Sequence, residues 1–264
     1  MCTRRSVGED AAEHEGIAVI ALIDYGAGNL TSVRKALTAL GADFSTPVRP
    51  EECARYTAVI VPGVGNFAAT AALVGRWRDA IADTVRGGTP LLGICLGMQW
   101  LFEGSDEAPD VPGLGVLEGR VTRLRGNADA GLKIPHVGWN ALNFRGPAGS
   151  APPQQVSADG FPTSGADLPN RGADLPGPRS RILAGLEEGA HVYFTHSYAA
   201  PVTDACVAAT THGETFAAVV EHNNIFGVQF HPEKSSDAGL QILRNFIAVA
   251  QQRSVGAGRA EAGC

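Results

Sequence analysis

The chain has 264 residues, 44% hydrophobic and 18% charged, with a formal net charge of −6 at pH 7. That length supports one large domain or two small ones with a sizeable core, in the composition of an ordinary soluble enzyme. The negative charge argues against nucleic acid or an anionic membrane surface as the main partner. The five cysteines (Cys2, Cys53, Cys95, Cys206, Cys264) are scattered, with no C-x-x-C pair. They form neither a disulfide framework nor a zinc site, and they suit a reducing cytoplasm. Residues 1–16 lack the apolar core of a signal peptide, and the run Ile17–Ile23 is too short to cross a membrane. A cytoplasmic protein is expected.

In chain order, "IAVIALI" (Ile17–Ile23) reads as a buried strand, followed by a turn and a helical pattern over Asn29–Leu40. "TAVIVPG" (Thr57–Gly63) is a second strand, with a long helical pattern from about Asn66 to Arg86. "TPLLGI" is a third, leading into a helix after Cys95. Continuous apolar strands separated by helices predict a parallel sheet covered on both faces. The second half is richer in strands: Gly115–Leu124, His191–Ser197, Cys206–Thr211, Phe216–Glu221 and Ile225–Phe230, then an amphipathic helix from about Ser236 to Ala250. The whole is one α/β domain over 17–250. Residues 146–180, crowded with Pro and Gly and repeating "GADLP", form a disordered insertion by composition. The leader 1–16 and the tail 251–264 are read the same way.

Two stretches carry chemistry. In Gly93-Ile94-Cys95-Leu96-Gly97 the pattern G-x-nucleophile-x-G marks an elbow, a crowded strand-to-helix turn that thrusts one side chain above the sheet. Free N–H groups at the start of the following helix favour a thiolate and a developing oxyanion there. A buried core cysteine in a glycine-lined turn fits this stretch equally well. Near the other end, "GVQFHPEKS" holds His231 and Glu233 on either side of Pro232. Residues two apart in an extended segment project to the same side, so Glu233 is placed to orient the His231 imidazole. Taken alone, "HPE" is equally an ordinary loop. "GAGNLT" is no dinucleotide fingerprint, since Thr31 occupies the third glycine position, and no P-loop occurs. No cofactor and no metal is expected.

A cysteine elbow followed by H-P-E on an alternating α/β chain resembles the class I (triad) glutamine amidotransferases. The resemblance implies their flavodoxin-like fold, a central mostly parallel sheet flanked by helices, with an antiparallel portion in the second half. It implies Cys95 as nucleophile, His231 as general base and acid, and Glu233 as orienter. The reaction is attack on the side-chain amide of L-glutamine, release of ammonia and hydrolysis of a thioester. The oxyanion hole then falls to the backbone N–H of Leu96 and to the turn Pro62–Gly65, through Gly63 and Val64. Gln99 and Glu107 would meet the α-amino and α-carboxylate ends of glutamine, with backbone from Thr195, His196 and Ser197.

"DYGAGNL", "PGVGNF", "KIPHVGWN" and "YFTHSY…GVQFHPEKS" are similar to the glutaminase subunit of imidazole glycerol phosphate synthase, in histidine biosynthesis. Glutaminases for anthranilate, GMP or carbamoyl phosphate tend to differ in the PGVG turn and to lack "HVGWN". This resemblance implies a heterodimer with a cyclase built as a (β/α)₈ barrel, through whose core ammonia passes. Asn29, Trp139, Asn140 and Lys234 are its candidate interface residues, a buried core position being the alternative for Trp139. The other reading is a glutaminase that serves a different ammonia-using synthase.

Overall fold

The computed structural model describes residues 18–126, 132–145 and 180–261, with side chains as far as Arg253. Strand β1 (Val19–Leu22) is followed by helix α1 (Leu30–Ala39), the short β2 (Asp43–Ser45), β3 (Ala58–Gly63), α2 (Arg76–Arg86), β4 (Leu91–Cys95) and α3 (Leu96–Trp100). Next come β5 (Gly104–Ser105), β6 (Arg120–Arg123), β7 (His136–Ala141), β8 (Asn143–Phe144), β9 (His191–His196) and β10 (Tyr198–Ala199). The chain ends with β11 (Cys206–His212), β12 (Glu214–His222), β13 (Ile225–Val228) and helix α4 (Ser236–Glu261).

Among the described residues, eight strands form the main sheet in the order β2-β1-β3-β4-β13-β12-β11-β8. The first five run parallel, and β12, β11 and β8 extend the sheet antiparallel. This is the expected class I amidotransferase fold, and its cause lies in the period of two along each strand. Ile20, Leu22, Ile60, Ile94 and Val228 face one side, where they meet Val33 and Leu37 of α1 and Ile242 and Phe246 of α4. Ala21, Val59, Val61 and Leu91 face the other, against Ile81 and Val85 of α2 and Met98 and Trp100 of α3. Because both faces are covered, every strand residue gains from being apolar, and the runs are continuous rather than alternating. Strands β7 and β9 pair off the main sheet as an antiparallel ribbon, and β10, β6 and β5 make a third small sheet.

Several elements differ from the sequence reading. The single helix expected over 66–86 is a 3₁₀ segment, Phe67–Leu73, and then α2. Val74 is extended and Gly75 has φ +77°, so the helical hydrogen bonds cannot run through. The strand expected over Gly115–Leu124 shrinks to β6, because positive φ at Gly115 and Gly119 breaks the extended path. Strand β7 was not foreseen: "HVGWNA" has little periodicity of its own and becomes a strand by pairing with β9. Helix α4 runs past Ala250 to Glu261, into the expected disordered tail. Gln, Arg and Ala are strong helix formers, and each glycine there costs only about 1 kcal/mol. The leader 1–16 and residues 146–179 of the insertion lie outside the described residues. Ser180, where the insertion ends, is buried, and its Oγ donates to Glu221 Oε2 at 2.6 Å.

Candidate active site

Strand β4 ends at Cys95, whose backbone sits at φ +53°, ψ −108°. That conformation is costly for a residue with a side chain, and such strain is characteristic of a nucleophile elbow. The flanking glycines have a steric reason to be there. A Cβ on Gly97 would overlap the Val61 carbonyl oxygen of β3, and one on Gly93 would come within 2.6 Å of the Gly97 oxygen. Leu96, the first residue of α3, has no intrahelical acceptor for its N–H.

The imidazole reaches Cys95 from the neighbouring strand. Beyond β13 the chain bends at Gln229 and Phe230, with Gln229 and His231 both turned toward Cys95 while Phe230 enters the core. The His231 N–H donates to the Tyr193 carbonyl at 3.0 Å, which fixes the backbone. His231 Nδ1 lies 2.9 Å from Glu233 Oε1, in a pair 2% and 1% exposed at the side chains. The two side chains pair as expected, but across a 3₁₀ turn, Pro232–Lys234, and not along the extended segment that the sequence reading assumed. His231 Nε2 is buried without a hydrogen-bond partner. It is near enough to Cys95 for the sulfur to raise its pKa. Burial alone would push this imidazole's pKa down, but Cys95 and Glu233 outweigh it and raise the pKa to about 10. Sulfur and carboxylate thus both favour the charged form of the imidazole.

A cavity of about 310 Å³ opens beside the cysteine. Its walls include Cys95, Leu96, Val64, Gln99, Glu107 and His231, together with the segment Thr195–Tyr198 from the end of β9. The structure thus brings Cys95, His231 and the expected glutamine-binding residues to one pocket, with Glu233 behind the imidazole. Gln99 Nε2 is engaged twice, donating to the Tyr198 carbonyl at 2.8 Å and to Gln229 Oε1 at 3.2 Å, so its Oε1 is the atom left for a ligand. Glu107 Oε2 accepts the Phe67 N–H at 2.7 Å, which ties the carboxylate to the turn after β3. His196 faces inward. Its Nδ1 donates to the Tyr198 carbonyl at 2.9 Å, and its Nε2 lies 3.1 Å from His136 Nδ1.

The oxyanion turn differs from its expected role in one respect. Val64 N–H donates to the Ala27 carbonyl at 3.3 Å and is not free to meet a substrate oxygen. Gly63 has no room for a side chain, since a Cβ there would overlap the Tyr25 hydroxyl and crowd Leu96 Cβ. That hydroxyl is buried without a partner, and burial, with Cys95 nearby, raises the phenol's pKa well above 10. Of the expected interface residues, Trp139 is 53% exposed, which rules out the core alternative, and Lys234 is exposed. Asn29 and Asn140 are half-buried, with side chains engaged to Ser32 Oγ and to the Thr211 carbonyl respectively. Sequence reasoning passed over Gln229, although it lies only two residues before His231. Tyr25 and His136 carry no comparable signal.

Fold and site together define the class: an α/β enzyme with a cysteine, a histidine and a glutamate brought together at the carboxyl edge of its sheet. The chain belongs to the glutamine amidotransferase class-I family, whose model matches residues 21–250. The imidazole glycerol phosphate synthase subunit HisH of Gloeobacter violaceus is 42% identical over 240 residues, covering 89% of this chain and 91% of that one. The subunit of that name from Bacillus subtilis is 38% identical over 243 residues, covering 90% and 99%. Among solved structures, PurLQS from Thermotoga maritima matches with a TM-score of 0.60 at 17% identity, covering 88% and 99%, a likeness of fold alone. Among the described residues no helix is long and apolar enough to cross a membrane, and no group of His, Cys, Asp and Glu is placed to hold a metal.

Proposed function

We propose that this chain is the glutaminase subunit of an imidazole glycerol phosphate synthase, acting in the cytoplasm in histidine biosynthesis. Cys95 Sγ attacks the side-chain carboxamide carbon of glutamine, and the electron pair moves onto the carbonyl oxygen. Leu96 N–H stabilises that oxyanion, joined by the Gly63–Val64 turn once Val64 N–H leaves Ala27. His231 Nε2 gives its proton to the departing nitrogen, ammonia leaves, and a thioester remains on Cys95. His231 then takes a proton from water, which attacks the thioester and releases glutamate. Glu233 holds the imidazole in place through Nδ1 and offsets its charge. Gln99 Oε1 receives the α-ammonium of the substrate, and Glu107 and the backbone of Thr195, His196 and Ser197 complete the contacts.

One observation carries this reading: His231, fixed at Nδ1 by Glu233 and unpartnered at Nε2, beside a cysteine held at φ +53°. The (β/α)₈ barrel cyclase forms the other half of a heterodimer and receives the ammonia. Its contact surface takes in Trp139 and Val137, 53% and 57% exposed on one side of β7, with Asn29, Asn140 and Lys234. The leader, the insertion and the tail stand outside the catalytic domain of 17–250. Because Val64 N–H is held by Ala27, the subunit alone has low activity, and docking of the cyclase completes the hole. Glutamate release, with and without the cyclase and its ribotide substrate, tests this. Activity is expected only in the complex, and Cys95→Ala abolishes it. A Cys95→Ala complex that still releases glutamate sinks the assignment, and failure to bind the cyclase points to a different synthase.

A further inference from the structure

We infer that Gln229 is a positioning residue for the nucleophile, its side-chain amide holding the Cys95 sulfur as a hydrogen-bond acceptor. Gln229 is fully buried, and its Nε2 lies 3.7 Å from Cys95 Sγ. The orientation of its amide is dictated by its neighbours and is not a free choice of rotamer. The Tyr198 carbonyl is purely an acceptor, so the end of Gln99 that meets it at 2.8 Å must be the –NH₂. That same nitrogen lies 3.2 Å from Gln229, whose facing atom must therefore be the acceptor Oε1. The opposite end of Gln229, turned toward sulfur, is then the donor. A second hydrogen bond reinforces the node: His196 Nδ1–H donates to the same Tyr198 carbonyl. The backbone of Gln229 is fixed as well, its N–H donating to the Ala218 carbonyl of β12 at 2.9 Å.

A donor aimed at sulfur strengthens its bond as the thiol ionises, because charge-assisted hydrogen bonds are roughly twice as strong as neutral ones. His231 and Gln229 thus approach Cys95 from the same strand end, two residues apart. One supplies the movable proton and the other a fixed partial charge. The other ionisable groups facing the sulfur are Tyr25 from the turn after β1, Glu233 behind His231, and Glu107 and His196 in the pocket wall. None of these donates a hydrogen bond to it among the described residues, so apart from His231 the donor role falls to Gln229.

The assignment rests on Cys95 being the nucleophile, and its test separates the two ideas. Alkylation of Cys95 by iodoacetamide is followed against pH by mass measurement of its peptide, in wild type, Gln229→Met and Gln229→Glu. Gln229→Met removes the donor, and its profile is expected to move up by about one pH unit. Gln229→Glu keeps the acceptor for Gln99 but turns a carboxylate oxygen toward sulfur, and its profile moves further up. In the cyclase complex kcat falls in both variants, while KM for glutamine stays within about twofold in Gln229→Glu, which keeps the acceptor for Gln99. Should either variant fail to fold, the side-chain ¹⁵N resonance of Gln229 in the unsubstituted protein serves instead. It is expected to titrate together with the Cys95 thiol and to lose that titration in Cys95→Ala. Superimposable alkylation profiles in folded variants, or an amide resonance blind to the thiol, overturn the role of Gln229 and leave the glutaminase reading standing. A wild type that releases no glutamate with the cyclase and ribotide present sinks both.

Discussion

The two walls of the pocket are built in opposite ways. Cys95, Leu96 and His231 hang from the ends of β4 and β13, in the parallel half of the sheet, where the surrounding strand residues are apolar and closely packed. The facing wall is the end of the β7–β9 ribbon, where His136 and His196 meet His212 of β11. His136 stacks on His212 with ring centroids 4.1 Å apart and on Phe194 at 4.8 Å, and it meets His196 edge-on. The first wall is held by volume and the second by a directed set of hydrogen bonds. Starting from the Tyr198 carbonyl, His196 donates from Nδ1 and accepts at Nε2, so His136 donates from Nδ1 and accepts from Asn140 Nδ2 at its own Nε2. A strained elbow needs a rigid bed, which apolar packing supplies. A wall that meets a polar substrate on one side and the expected partner surface on the other relies on hydrogen bonds that respond to both.

The contrast breaks most sharply at Gly97. Adding one methyl there drives it into the Val61 carbonyl of β3, with no flexible side chain able to give way. Gly97→Ala is expected to cost about 3 kcal/mol of stability, measured by denaturant unfolding, together with nearly all glutaminase activity. A variant that unfolds like wild type would mean the elbow tolerates more movement than its packing implies.

On the other wall, Trp139 sharpens the comparison. Its ring stands over Tyr193 at 6.1 Å but is more than half exposed, so truncation removes little buried area within the subunit. Trp139→Ala should leave the unfolding midpoint nearly unchanged and weaken cyclase binding by about 2 kcal/mol, roughly 30-fold in Kd. Calorimetric titration against the cyclase reads the second number. An unchanged Kd would place the interface elsewhere.

The same contrast explains how much the sequence revealed. Strands β1, β3 and β4 are legible because burial on both faces demands unbroken apolar runs such as Ile17–Ile23. Cys95 and the His231–Glu233 pair are legible because a crowded elbow and a two-residue spacing leave local marks. The ribbon leaves none: His136 and His196 are sixty residues apart, and nothing near either one announces a shared hydrogen bond. Val64 shows a further limit. Its place beside the nucleophile follows from the turn after β3, but the pairing of its N–H with Ala27 depends on how two loops from different strands meet.

The smallest effect near neutral pH, and the most specific, comes from the imidazoles. Burial and neighbouring histidines depress His136 to about 4 and His196 to about 3. As pH falls below the ordinary value of about 6.5, the unfolded chain takes up these protons and the folded chain does not. Stability is therefore complete above about 6.5 and declines as pH falls, until His136 titrates near 4 and His196 near 3. His231 works in the opposite sense, since the stability from its raised pKa is full below about 6.5 and is lost as pH climbs from there through about 10. Gln at position 136 reproduces a donor toward His196 and an acceptor for Asn140 without a proton to gain. His136→Gln should leave stability at pH 7.5 little changed. Between pH 6 and 4.5 it should flatten the acid decline by up to about 1.4 kcal/mol per pH unit, the slope for one proton. Unfolding curves collected across that range decide it. A variant whose acid decline parallels wild type would mean that His136 takes its proton in the folded state as readily as in the unfolded chain, and that the hydrogen-bonded order of the ribbon does not hold it neutral.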